Sequence, residues 1–484
     1  MEDNGWDCDG IKTVCIQGQS IKPITSDRHA GTDDKSDVLQ AHPVRRRAFG
    51  PSAVMKTPIF QRFGACQHPI VTVCRCDSLA ARAVRGYNFP SMATLTYRTA
   101  GESHGPALVS IIEGLPAGLD LDIDFINGEL RRRQGGYGRG GRQRIETDAV
   151  NFRTGYRRGK TIGSPLVVEI PNKDSRLDDT PALIKPRPGH ADLAGATKWL
   201  TTDCRETLER ASARETANRV AVGAIARCLL RQFGIEVIGF VVQIGTAKAT
   251  VAADAPVAEL RQLIAASEVY CPDSRAADAM IEQIKAAKIQ GDTLGGIVET
   301  RVIGCPIGLG SCAQWDWKLD SRIAAEVMGI QAIKGVEIGM GFRTAELPGS
   351  EVHDPIEYDV SLRDTPKLGF NRPTNNAGGL EGGMTNGQPV VVRAAMKPIS
   401  TLLKKAMPSV DLTNKQSGKA DYERSDVCAV PAAAVVVENV IAFEIARSMV
   451  EKFAGDSMRE MHMNYQHFLA AARELGTQKA GEGI

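Results

Sequence analysis

The spacing of apolar and polar positions changes several times along the chain, and each change marks an element. Thr94 to Arg98 and Leu108 to Glu113 read as strands, parted by the turn-like Ala100-Gly-Glu-Ser-His-Gly-Pro106. Phe125 to Gln134 has helical spacing, with Asp124 as the candidate cap. Ser212 to Phe233 predicts a helix with one buried face, since Ala213, Ala217, Val220, Ala221, Ala224 and Leu229 recur at its period. Glu236 to Ala247 follows as a strand, then two helices over Ala255 to Ser267 and Ser274 to Gln290. Gly295 to Ile303, Val336 to Gly341 and Gln388 to Lys397 read as strands, and Ala432 to Lys452 as a long helix. Strands and helices alternate without a Rossmann glycine fingerprint, so layered α/β or α+β architecture is expected.

Residues 1–91 show no such period. They carry five of the eleven cysteines, and between Val38 and Ser91 the only acid is Asp77. A disordered tail, an organellar transit segment and upstream sequence joined through a start-codon choice all suit them. The last is favoured because Met92-Ala93-Thr94 opens the first strand-like run. The expectation is an extension over 1–91, disordered or absent from the mature protein, and a catalytic domain over 92–484 with a flexible C-terminal end.

Composition narrows the function classes. Among 484 residues, 59 Lys+Arg face 57 Asp+Glu, a formal charge of +2, which argues against bulk electrostatic attraction to nucleic acid or membranes. Aromatic residues make up 5%, too few for base-stacking platforms. Glycine, at 48 residues, exceeds the usual share of roughly 7%. Val427 to Phe443, the longest apolar candidate, is interrupted by Pro431, Glu438 and Asn439, short of a membrane span. The acidic start lacks the charged and apolar regions of a secretory signal. The cysteines show no framework or metal-ligand spacing, so free cytosolic thiols and no structural metal are expected.

The chemistry gathers in three places. From Gly128 to Lys160, ten basic residues meet three acids, a local +7. A solvated basic loop, an RNA-binding Arg-Gly segment and a pocket for a polyanionic small molecule all suit that composition. Within its arginine-glycine run, Arg131 to Arg144, Tyr137 is the only aromatic interleaved, which counts against RNA. Second, His104 in Gly101-Glu-Ser-His-Gly105 and His190 in Arg187-Pro-Gly-His-Ala-Asp192 lie in Gly/Pro turns, where a histidine beside arginines can exchange a proton near neutral pH. Third, five glycines between Gly378 and Gly387 suggest either a strained turn or a backbone surface pressed against a flat or phosphorylated cofactor. Lys397-Pro-Ile-Ser-Thr401 adds a cation and two hydroxyls, and Arg424-Ser-Asp426 a further cation and a carboxylate.

Together these segments resemble the chorismate synthase family from about Met92 to about Glu451. With Arg210-Ala-Ser-Ala-Arg-Glu-Thr216, Gly291-Asp-Thr-Leu-Gly-Gly296 and Ile333-Lys-Gly-Val-Glu-Ile-Gly339 added to the two histidine turns, the arginine-glycine run, the Gly378–Gly387 stretch and Arg424-Ser-Asp426, eight motifs fall in the family's order. The resemblance implies a carbon–oxygen lyase of the shikimate pathway. Such an enzyme removes phosphate and a proton from 5-enolpyruvylshikimate 3-phosphate by anti-1,4-elimination, giving chorismate. The family needs reduced FMN without net redox change, and NADPH is one candidate reductant. The resemblance implies an α+β fold, a β-α-β sandwich in one large catalytic domain. It further implies a cytoplasmic homotetramer that binds neither nucleic acid nor membrane.

Residue by residue, the resemblance makes Arg132, Arg133, Arg139 and Arg219 substrate ligands. His104 would protonate the departing phosphate, His190 the reduced flavin, and Asp426 would help take the substrate proton. Arg210, Ala211, Ser212, Gln331, Ala332, Gly382, Lys397, Pro398, Ile399, Ser400, Thr401 and Arg424 would hold FMN. Family descriptions also link Arg132 and Arg139 to NADP. Residues 1–91 match nothing in the family, Ala211 replaces a serine of some relatives, and Gln314-Trp-Asp-Trp317 is more aromatic than expected.

Overall fold

The first strand-like runs fold into one antiparallel sheet of β1 (Thr96–Ala100), β2 (Ala107–Glu113), β3 (Asn151–Thr154) and β4 (Leu166–Pro171), in the order β1-β2-β4-β3. The computed structural model describes residues 94–141, 145–423 and 426–475. The expectations for residues 1–91, for Arg424 and for the last nine residues lie outside the described residues. A second antiparallel sheet joins β5 (Glu236–Ile244), β6 (Ala247–Lys248), β7 (Gly296–Ile303), β8 (Ile333–Ile338) and β9 (Val390–Met396), in the order β8-β9-β7-β5-β6.

The helices, in chain order, are α1 (Ile123–Gln134), α2 (Asp192–Trp199), α3 (Arg205–Ala211), α4 (Thr216–Arg231), α5 (Val257–Ala266), α6 (Ser274–Gln290), α7 (Leu319–Met328), α8 (Val430–Phe453) and α9 (Met458–Arg473). α4 packs on β1, β2 and β4, α8 packs on β5, β7 and β9, and the two helices pack on each other. The result is sheet, helices, sheet: the β-α-β sandwich of α+β class that the resemblance implies. β2 alternates as a one-sided strand should, with Leu108 and Ile112 buried and Ile111 exposed. β5 is buried on both faces, Val237 and Val241 towards the helical layer and Ile238 and Phe240 against Leu260 and Ile264 of α5.

Several bounds differ from the sequence reading, each for a local reason. α1 is capped by Asp122, whose carboxylate accepts from the Phe125 N–H at 2.9 Å, so the helix begins earlier than Asp124 suggested. Ser212 takes an extended conformation and separates α3 from a short 3-10 turn, Ala213–Glu215, ahead of α4. β5 ends at Ile244 because Gly245, at φ 55°, turns the chain into β6. α6 keeps its expected limits, with Asp273 accepting from Ala276 N–H at one end and left-handed Gly291 at the other.

α8 is buried on almost every side, so its apolar length reflects the middle layer of a sandwich. No helix among the described residues is long and apolar enough to cross a membrane. Its buried charges are answered within the layer. Glu129 of α1 meets Arg227 at 2.7 Å and Arg132 at 2.8 Å, and Glu438 of α8 meets the same arginines at 2.9 and 3.0 Å. Asn439 donates to Glu129 at 3.1 Å. Burial alone would raise the Glu129 carboxyl, but the Arg227 and Arg132 guanidiniums outweigh it and bring it down to about 2.

The tightest approach between α4 and α8 is at Gly223, where an added Cβ would lie 2.2 Å from the Asn439 carbonyl oxygen. Alanine is the better helix former by about 1 kcal/mol, yet a methyl here must push two buried helices apart. Gly223→Ala should therefore destabilise the protein by about 1–3 kcal/mol in urea unfolding. A stabilised variant would contradict this packing.

Candidate active site

The Gly101–Gly105 turn brings His104 back against α3. Its Nδ1 lies 2.8 Å from Glu209 Oε1, its backbone N–H donates to Glu209 Oε2 at 2.7 Å, and its Nε2 is 3.8 Å from Asp174 Oδ2. The Ser103 N–H donates to the Glu209 carbonyl at 3.0 Å, and the Ser103 and Ser212 hydroxyls are 3.0 Å apart. Asn172 donates to the Gly105 carbonyl at 2.8 Å and accepts from Arg214 Nε at 2.9 Å. A loop that turns on glycine is thus fixed by a buried polar network.

His190 is set differently. Its Nδ1 contacts Asp192, and Arg187 Nη2 lies 3.1 Å from the same nitrogen. Arg187 grips Asp192 through Nε at 2.8 Å and Nη2 at 3.1 Å, and donates to the Thr401 hydroxyl at 3.3 Å. Lys397 donates from Nζ to the Gly189 carbonyl, and from its backbone N–H to the Ala332 carbonyl at 3.0 Å. Burial would raise the Asp192 carboxyl, but hydrogen bonds from His190 and Arg187 hold it well below the ordinary carboxylate range. The sequence-distant His190 turn, the Gln331–Ala332 pair and the Lys397–Thr401 segment therefore share one neighbourhood. A hollow of about 270 Å³ adjoins it, lined by Arg187, Ser400, Thr401, Leu402, Met407 and Tyr422 among others. Gly295 lets this segment lie close: a Cβ there would be 2.3 Å from the Met396 carbonyl.

The arginines divide. Arg132 is tied into the Glu129–Glu438 network, with about a third of its side chain exposed. Arg133 is buried and donates to the Thr216 hydroxyl at 2.9 Å and the Ala213 carbonyl at 3.0 Å, with Asp148 at 3.4 Å. Burial pushes its guanidinium down to about 10 despite Asp148. Arg139 meets Asp426 at 2.6 Å, Gly140 N–H donates to the other Asp426 oxygen at 2.6 Å, and the buried Arg139 Nε has no hydrogen-bond partner among the described residues. Of the basic run, Arg132, Arg133 and Arg139 are thus folded inward, while Arg131, Arg153, Arg157, Arg158 and Lys160 stay exposed.

Arg219 pairs with Glu215 at 3.1 Å, and Gln331 donates to the same carboxylate at 3.2 Å, leaving Gln331 Oε1 buried without a partner among the described residues. Arg210 reaches the Thr99 carbonyl at 3.0 Å and the Gly101 carbonyl at 3.2 Å, tying α3 to the His104 turn. Ala211 and Ser212 follow it at the end of α3. Pro398 and Ile399 lie in the supported segment, the Ile399 carbonyl accepting from Thr293 at 2.7 Å.

Part of the glycine-rich stretch serves backbone packing. A Cβ on Gly378 would lie 2.3 Å from the Gly339 backbone, so the stretch lets two main chains touch. Gly382 is the more open position, at the tip of the Leu380–Glu381/Met384–Thr385 hairpin. Trp315 and Trp317 are exposed just before α7. Sequence reasoning missed Glu209, Asp192 as a partner, Asp148 and Arg214. Glu209 stands beside the Arg210 motif, and that adjacency was its one available signal.

The family description "Chorismate synthase" matches residues 95–450. The chorismate synthase of Desulforamulus reducens is 53% identical over 393 residues, covering 79% of this chain and 100% of that protein. That of Geobacter metallireducens is 53% identical over 397 residues, with the same coverage of 79% and 100%. A crystal structure of a chorismate synthase, 38% identical, aligns with a TM-score of 0.64 over 79% of this chain and 100% of the other. With the sandwich and the motif-bearing turns matched together, the chain belongs to the chorismate synthase family of carbon–oxygen lyases.

Proposed function

We propose that the chain converts 5-enolpyruvylshikimate 3-phosphate to chorismate by anti-1,4-elimination, requiring reduced FMN with no net redox change. The observation that carries the reading is the bedding of both loop histidines on buried carboxylates within an arginine-rich surround. A substrate with one phosphate and two carboxylates calls for such cations, and loss of phosphate calls for a positioned acid. In the reaction the C–O bond to phosphate breaks and one proton leaves. The C–H electron pair ends in the new double bond, so nothing is oxidised overall.

The residues suit FMN. The hollow beside His190 combines Arg187 and the Ser400 and Thr401 hydroxyls, fit for a phosphate, with Leu402, Met407 and Tyr422, fit for a flat ring. The unpartnered Gln331 Oε1 offers a further polar contact. In this reading Arg210, Ala211, Ser212, Gln331, Ala332, Gly382, Lys397 to Thr401 and Arg424 hold the cofactor. Bound, reduced FMN supplies an electron-rich ring that eases phosphate loss.

His104 gives its ring proton to the leaving phosphate oxygen. His190, fixed by Asp192, keeps a proton for the flavin side of the pocket. Asp426, with both oxygens tied by Arg139 and the Gly140 N–H, assists removal of the substrate proton. Arg132, Arg139 and Arg219 bind the substrate's anionic groups, and Arg133 shapes that pocket through Thr216 and Asp148. The reading places a cytoplasmic homotetramer in the shikimate pathway, with NADPH one candidate reductant for the flavin. Catalysis is assigned to residues 92–484.

Anaerobic protein with photoreduced FMN and the enolpyruvyl substrate should release phosphate, and His104→Ala or His190→Ala should each cut turnover by about 10²–10⁴-fold. Release no greater than that of the double variant would dismiss the reading. Protein beginning at Met92 should match the full chain in the same assay, and a large deficit would place part of the catalytic machinery in residues 1–91. Because Asp192 is depressed on folding, its stabilisation is present above about pH 4 and is lost as pH falls towards its folded value. Asp192→Asn should therefore melt below wild type at pH 7, and the gap should narrow steadily below pH about 4. A gap constant down to pH about 2 would contradict the Asp192 assignment.

A further inference from the structure

We propose that Glu209 is the positioning residue for His104, fixing which ring nitrogen exchanges the proton. The proposal rests on the reading of His104 as the acid that serves the leaving phosphate. Glu209 is 3% exposed and grips one residue at two points, the His104 ring through Oε1 at 2.8 Å and the His104 backbone N–H through Oε2 at 2.7 Å. An ionised carboxylate can only accept, so the ring nitrogen facing it must carry a hydrogen. Nδ1 is thereby committed as a donor, and Nε2 is left to give and regain the proton. Nε2 stands 3.8 Å from Asp174, beyond hydrogen-bond reach. The backbone contact adds what a ring contact alone lacks: the loop cannot slide along α3 without breaking the grip on its own histidine.

Glu209 is also less neutralised than its counterpart. Asp192 is clasped by the Arg187 guanidinium at 2.8 and 3.1 Å and by the Arg187 N–H at 3.1 Å, so its charge is shared between a cation and His190. Among the described residues the guanidinium paired with Glu209 is that of Arg205, whose Nη1 is 3.8 Å away. Burial would raise the Glu209 carboxyl, yet the His104 ring and backbone hydrogen bonds hold it below the ordinary range. The carboxylate therefore spends most of its field on His104, which suits an imidazole that must be charged before each phosphate departs.

The test compares Glu209→Gln and Glu209→Asp with wild type. It uses ¹⁵N-resolved spectra of the His104 ring in substrate-free protein, and kcat and KM in the anaerobic assay. Wild type should show a hydrogen on Nδ1. Glu209→Gln, whose amide can donate to Nδ1, should shift the ring towards the Nε2–H tautomer and lower kcat by about 10²–10⁴-fold. KM should stay within about threefold of wild type, since no substrate ligand is removed. Glu209→Asp keeps the charge and should recover part of the rate and the Nδ1–H signal.

An unchanged tautomer in folded Glu209→Gln, or a kcat within about twofold of wild type, would overturn the proposal. Should Glu209→Gln fail to fold, Glu209→Asp decides: loss of the Nδ1–H signal with wild-type kcat overturns it, and retention with partial activity supports it. If His104→Ala keeps full phosphate release, the reading of His104 as acid fails whatever Glu209 does. If His104→Ala is inactive while the Glu209→Gln tautomer is unchanged, only the positioning role fails.

Discussion

Two carboxylates shut away from water, Glu129 and Glu438, set the constraint on which the rest of the molecule depends. They lie where α1, α4 and α8 meet, and Arg227 and Arg132 must neutralise both. Removing one partner from such a cluster costs about 3–5 kcal/mol, because the charges left behind stay buried. The cluster therefore fixes the end of α1 relative to the helical layer. Arg133, one residue on, is turned to Thr216 and Asp148, and the chain leaves α1 towards Arg139 and its pairing with Asp426.

The same logic of paired burial runs through the site. Each candidate proton-transfer residue is pinned by a charged group: His104 by Glu209 of α3, His190 by Asp192 and Arg187 at the two ends of its own turn, and Asp426 by Arg139. The inward arginines are each matched by a carboxylate, Arg132 by Glu129 and Glu438, Arg139 by Asp426 and Arg219 by Glu215. On the proposed reading, a site built from such internal pairs is organised before the substrate arrives, so little reorganisation opposes binding.

Periodicity revealed the elements whose packing is simplest. The limits of α6 were legible because Asp273 and Gly291 act locally, through neighbours in sequence, and α8 was legible because nearly all its sides are buried. The break at Ala213–Glu215 was not, since one apolar period runs through it and only the extended Ser212 interrupts the helix. The local +7 was visible, but the inward turn of Arg132 and Arg139 was not, because it depends on carboxylates far along the chain. Glu438 lies 306 residues from Arg132, and Glu209 lies 105 residues from His104. The motifs located both histidines and enclosed the partners of His190, whereas the partner of His104 was a property of the fold. The glycine-rich stretch could not be divided from sequence alone, because close approach of two main chains, as at Gly378 and Gly339, and close approach to a ligand need the same residue.

The central claim is a redox-neutral elimination carried out by residues that bind, orient and protonate. Its most direct measurement is the ratio of chorismate and phosphate formed to flavin present, under strict anaerobiosis with sub-stoichiometric reduced FMN and no further reductant. The account predicts equal amounts of both products, many per flavin, with the flavin still reduced at the end. Products limited to one per flavin, or flavin oxidised in step with product, would contradict it.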